Sequence, residues 1–231
     1  MKSCSIALVF LLVSPCVYAQ SDSLKRPVAN FNSEGVGLTE TILKFAQEEH
    51  LPVAIEYVDR TSMDQPIAVS LQNKTVRQAL DSILGSGLGY SWLLRNGIVE
   101  ITNRRASKHA EGQLNRVIPV FEISEGETVN LASAMLWWNL QIALNPSLKE
   151  KGFGGNILGR SSTLKAATLH HRTVREILSY IVLNSRAEGW IVAGPPECLG
   201  FTPYCGLWFI IEGEPFDSSY QSVLRKAHEN L

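Results

Sequence analysis

Beyond residue 20 the chain lacks any apolar run approaching the roughly 20 residues that a membrane-spanning helix needs. It also lacks an excess of charge of either sign. Its 21 Lys and Arg stand against 22 Asp and Glu, a balance that argues against a nucleic-acid partner or an anionic membrane surface. Cysteine is scarce: of 4 residues, Cys4 and Cys16 fall in the first twenty positions, leaving Cys198 and Cys205. Their separation is too wide for a two-residue redox motif, and no second cysteine pair completes a zinc site. No nucleophile elbow is present, because Ser162 and Ser185 are not flanked by the glycines such a turn requires. "GFGG" at 152–155 is followed by "NILGR" and not by Lys-Ser/Thr, so it reads as a loop and not as a phosphate cradle. These absences nominate no catalytic, cofactor-binding or metal-ligating residue.

What stands at the start is an export signal. Lys2 supplies a positive n-region, Ile6 to Val13 an apolar core, and Val17-Tyr18-Ala19 a small-residue cleavage pattern, so residues 1–19 are expected to be removed. Lipid attachment at Cys16 is the alternative, although Pro15 stands where a small flexible residue is usual. Cleavage takes one basic residue and no acidic one. In an oxidising compartment Cys198 and Cys205 are expected to form a disulfide.

The chain says one thing twice. "LQNKTVRQALDSIL" begins at Leu71 and "LHHRTVREILSYIV" at Leu169, with six of fourteen positions identical and no gap. Thr75 with Gln78, and Thr173 with Glu176, have the spacing of a capping box. Val76, Ala79, Leu80, Ile83 and Leu84 then form one helical stripe, as do Val174, Ile177, Leu178, Ile181 and Val182. Caps and packing account for the shared Thr, Val and Leu. Arg77 and Arg175 are left over, and both read as residues of a solvated helix face.

Each copy has neighbours of the same kind. Downstream of the first, "GLGYSWLLRNGIVEIT" predicts a hairpin about Asn96-Gly97. In the second, "GWIVAG" and "LWFIIE" predict another, with Gly189-Trp190 set against Gly89-Tyr90 and the turn enlarged to hold both cysteines. Upstream lie a leading strand, a helix ("LTETILKFAQEEH" or "ETVNLASAMLWWN") and a further strand ("PVAIEYV" or "LQIAL"). The expected architecture is α+β: two tandem units over 27–103 and 116–213, each strand, helix, strand, strand, helix, hairpin. Residues 104–115 form the expected linker, and 214–231 a tail or short helix.

The run from Phe31 to Thr102, through "PVAIEYV", "VSLQNKTVRQALDSILGSGLGYSW" and "GIVEIT", resembles the secretin and TonB short N-terminal domain. The second unit departs from it in the "GFGG" insertion and the enlarged hairpin. The resemblance implies a periplasmic, non-catalytic module that binds an envelope protein of a secretion, receptor or signalling system, possessing neither a pore nor a barrel of its own. An enzyme or enzyme inhibitor with no recognisable site, or a sensor of a cell-wall or small ligand, are the alternatives.

Candidate contact residues follow from the enlarged hairpin. Leu199, Phe201, Pro203 and Tyr204 cannot all be buried beneath one loop, and a disulfide would pre-order them for a partner. Trp138 is added because Trp137 and Trp138 lie about 100° apart on a helix, so one ring enters the core and the other lies at its edge. His170 and His171 are neighbours on a strand, face opposite ways, and so do not share one ion. Glu48 and Glu49 sit among polar residues at a helix end, where nothing raises a carboxyl pKa for acid catalysis.

Overall fold

The structure, a computed structural model, describes residues 23–58, 66–85, 89–103, 113–151, 161–193 and 207–211. Cys198, Cys205, Leu199, Phe201, Pro203 and Tyr204 lie outside these segments, as do the expected export signal at 1–19 and the expected tail at 214–231.

Strand β1, Pro27–Gly37, leads into helix α1, Leu38–Glu48, whose Leu38, Ile42, Phe45 and Ala46 are buried as their spacing predicts. The helix stops at His50, which takes a left-handed φ of 49° while the Leu51 N–H donates to the Ala46 carbonyl at 2.8 Å. Pro52 bars a further turn, and the chain enters strand β2, Val53–Val58. Strand β3, Pro66–Thr75, helix α2, Val76–Leu84, and the hairpin of β4, Tyr90–Arg95, and β5, Ile98–Asn103, complete the first half. Asn96 and Gly97 both have positive φ, 50° and 89°, as a two-residue type I′ turn demands.

The second half runs through β6, Val117–Ile123, helix α3, Val129–Leu144, and a 3-10 helix, Pro146–Lys151. It continues through β7, Ala167–Thr173, helix α4, Val174–Leu183, β8, Gly189–Ala193, and β9, Leu207–Ile211. The molecule is α+β, but the expected strand "LQIAL" is absent: Leu140 to Leu144 are the last turn of α3. The first half has a left-handed His50 and then Pro52 at the helix end, whereas the second offers no breaker before Pro146. The helix therefore runs on, burying Ala132, Leu136 and Leu140 along one face.

The repetition is written in hydrogen bonds. Both capping boxes form: the Thr75 hydroxyl accepts from the Gln78 N–H at 3.3 Å, and that of Thr173 from the Glu176 N–H at 3.2 Å. The next two amides of each helix also find partners. Val76 and Arg77 donate to the carbonyls of Arg26 and Leu24, and Val174 and Arg175 to those of Arg116 and Leu114. Two residues before each cap, Asn73 and His171 share a left-handed φ of 53° and 50°. The indole of Trp92 donates to Asp81 at 2.8 Å, and that of Trp190 to Ser179 at 3.3 Å. Trp190 thus corresponds to Trp92, two residues away from the Tyr90 that glycine matching suggested, because the helix-to-strand contact and not the glycine sets the correspondence.

The sheets tie the halves together. β1 pairs with β3 and β6 with β7, each antiparallel, whereas a five-stranded sheet has the order β4-β5-β2-β8-β9. In it β2 runs parallel to β5 on one side and to β8 on the other. Alternate residues on these strands feed different cores. Val53, Ile55, Val99, Ile101, Ile191 and Ile211 join α1 and α2 in one core; Ala54, Ile98, Trp190 and Val192 join α3 and α4 in the other. Since neighbouring strand residues point to opposite faces, this sheet is the middle layer, with one helix pair on each face. A strand covered on both faces has no exposed side to carry alternate polar residues, which explains why Val53 to Glu56 are buried one after another without alternation.

Candidate functional site

The seam between the halves is β2 against β8, and Gly189 sits at its tightest point. A Cβ there would lie 2.2 Å from the Val53 carbonyl oxygen, so only glycine lets the backbones approach. One residue on each of β2 and β5 breaks the apolar run: Glu56 and Glu100, both almost fully buried. They share the α4-facing side of the sheet with Ala54 and Ile98, and Arg175 in the first turn of α4 meets them. Its guanidinium makes a close ion pair with Glu56, lies 3.6 Å from Glu100, and donates from Nε to Asn115 at 3.3 Å. Arg95, at the exposed end of β4, reaches Glu100 from the rim at 3.5 Å.

Burial governs the electrostatics. Desolvation raises the Glu100 pKa, and the charge of Arg95 offsets this in part; desolvation also lowers the pKa of Arg175. The Glu56 carboxylate accepts no hydrogen bond among the described residues, so Arg175 is its counter-charge. A cavity of about 270 Å³ adjoins the cluster, lined by Arg95, Glu100, Arg172, Arg175, Glu176 and Tyr180 among others. Arg172 pairs with Glu176 at 3.4 Å. Every guanidinium in this region is thus matched by a carboxylate. Among the described residues the arrangement fastens one half to the other.

Arg77, which occupies the same place on α2, has a different fate. It is exposed and lies over the Trp92 ring of β4, 5.3 Å from the centroid. A solvated helix face therefore describes Arg77 but not Arg175, because a strand of the first half has been laid against β8 and, among the described residues, none lies outside β4. Among the described residues β4 and β9 are the outer strands of the five-stranded sheet. β4 carries Leu93, 41% exposed, with half-buried Trp92 and Leu94 beside it.

No protein-family model matches the chain, and neither does any curated protein or solved structure. The site rests on its own geometry.

Of the residues nominated from sequence, Trp138 is half-buried on α3, and so is Trp137, which packs against the second core. Neither ring enters the interior fully, because Leu136 and Leu140 take the inward positions. His170 and His171 are both exposed on β7. Among the described residues no group of three or more His, Cys, Asp or Glu is placed to hold a metal ion, and no helix is long and apolar enough to cross a membrane. Glu49 pairs with Arg26 at 2.9 Å. Glu56 and Glu100 escaped notice. Their signal was a lone acid inside an apolar strand, "VAIEYV" and "IVEIT", set beside a repeated arginine that caps and packing did not explain.

Proposed function

We propose that this chain is an exported, non-enzymatic protein-interaction module of the cell envelope, an accessory of an outer-membrane secretion, receptor or signalling system. The resemblance of residues 31–102 to the secretin and TonB short N-terminal domain points to the compartment and to the class of partner. The observation that carries the reading is that, among the described residues, no strand pairs with the outer edge of β4. A strand edge without a neighbouring strand and with an exposed leucine is a template for another chain. The seam cluster supports the same reading, because its charges are spent on holding two halves together.

The test has two parts. A periplasmic reporter fused to the first residues should become active outside the cytoplasm. A photo-crosslinking amino acid at Leu93, in living cells, should give a discrete adduct with an envelope protein, whereas the same group at exposed Glu122 on β6 should not. A reporter confined to the cytoplasm, or equal adducts from both positions, would overturn the reading.

A further inference from the structure

The two halves of the molecule share one capped-helix and hairpin arrangement set along one sheet, so the environment of β8 predicts what β4 is built to receive. α2, Asp81, Trp92 and Arg77 of the first half correspond to α4, Ser179, Trp190 and Arg175 of the second, as the matched indole and helix-start hydrogen bonds show. Around β8 the site is filled. β2 lies along its outer edge, parallel to it, with Ala54 opposite Trp190 and Glu56 brought to Arg175. Around β4 the same parts are present, and among the described residues no strand lies beside them. Arg77 has no carboxylate within ion-pair distance among the described residues and rests on the Trp92 ring.

We propose that the outer edge of β4 is a docking site for an extended segment of a partner protein. The segment runs parallel to β4 and carries a carboxylate two residues after a small apolar residue, the carboxylate engaging Arg77. This rests on the protein-interaction reading above and specifies its ligand. The small residue takes the place of Ala54 beside the Trp92 indole, and the acid takes the place of Glu56. The single residue between them faces the side of β4 that bears exposed Leu93 and Arg95, which among the described residues is not roofed by a helix pair as the same side of β8 is, so its identity is less restricted. Backbone pairing supplies affinity for any extended chain, whereas the Arg77 carboxylate contact selects the register, as a one-residue slip would turn the acid to the opposite face.

The chain contains its own probe. A labelled peptide spanning residues 51–58, "LPVAIEYV", holds the segment that fills the equivalent edge. Titrated against the exported protein with its signal removed, it should bind, and Arg77→Glu should weaken it about tenfold or more. Arg77→Glu paired with a peptide bearing Glu56→Lys should restore binding. N-methylation of alternate peptide amides should abolish binding without touching the protein. A crosslinker on the peptide should label β4 and not β9. Loss on Arg77→Glu with no rescue by the charge swap, or labelling of β9, would overturn the proposal. So would light scattering that shows an Arg77-dependent dimer, because a second copy would then be the occupant. Failure of the peptide with success of the Leu93 crosslink in cells would sink this ligand chemistry and leave the protein-interaction reading standing.

Discussion

At the residue scale, one pair of equivalent arginines shows how position alone changes a side chain's role. Removing Arg175 would strand Glu56 and Glu100 in the seam without their buried counter-charge. Arg175→Met should therefore cost about 3–5 kcal/mol in urea denaturation. Combining it with Glu56→Leu and Glu100→Leu should recover most of that loss, because an apolar seam needs no counter-charge. Arg77→Met, at an exposed site, should change stability by less than about 1 kcal/mol. A small effect at Arg175 would contradict the buried cluster. Gly189→Ala drives a methyl into the Val53 carbonyl and should destabilise by about 1–3 kcal/mol or more, read in the same assay. Glu100 adds a pH signature. Its folded pKa is raised above the ordinary glutamate value by burial, so the folded state holds the proton more tightly than the unfolded chain. Its contribution is most favourable below the ordinary value and is lost as pH rises through the raised one. Glu100→Gln should flatten that fall. Glu176 runs the opposite way: hydrogen bonds from Thr173 lower its pKa, so its contribution is present at neutral pH and fades as the solution is acidified through the lowered value.

At the element scale, helix starts were legible and helix ends less so. The capping boxes at Thr75 and Thr173 and the stripes that follow them are local, governed by residues within one or two turns, and they form where their spacing places them. Thr75→Ala and Thr173→Ala should each cost about 1 kcal/mol, measurable by chemical denaturation. The type I′ hairpin at Asn96-Gly97 was equally local. α3 was harder, because "LQIAL" fits either a strand or the last turn of a helix. What tips it is the chain around it: Leu136 and Leu140 are already committed to one buried face, and no breaker comes before Pro146. The matching of the two hairpins erred for a related reason. Gly89 and Gly189 look alike in sequence, yet Gly89 has a φ of 80° in open space, whereas Gly189 is pressed against β2.

At the scale of the whole molecule, a shared central sheet makes the halves depend on one another. β2 belongs by sequence to the first half, yet Ala54 and Glu56 on it are covered by α4 and its neighbours. The halves should therefore unfold together. Near- and far-ultraviolet circular dichroism should trace one coincident thermal transition, with the amides of β2 among the slowest to exchange. Two separate transitions would show that the β2–β8 seam contributes little. Such a seam joins unlike surfaces, the edge of the first half's second strand and the edge of the second half's hairpin, and contacts of that kind leave an unfilled counterpart at the end of a series. The outer edge of β4 is that counterpart.

Local chemistry in the sequence determined the α+β composition, the two capped helices, their buried stripes and the first hairpin, because each depends on residues a few positions apart. Only the tertiary structure decided that β2 lies between the hairpins, that Arg175 is interior while Arg77 is not, and that two lone glutamates meet one guanidinium. Those outcomes turn on which strand edge meets which, a choice made by burial on both faces of a sheet between residues more than a hundred positions apart.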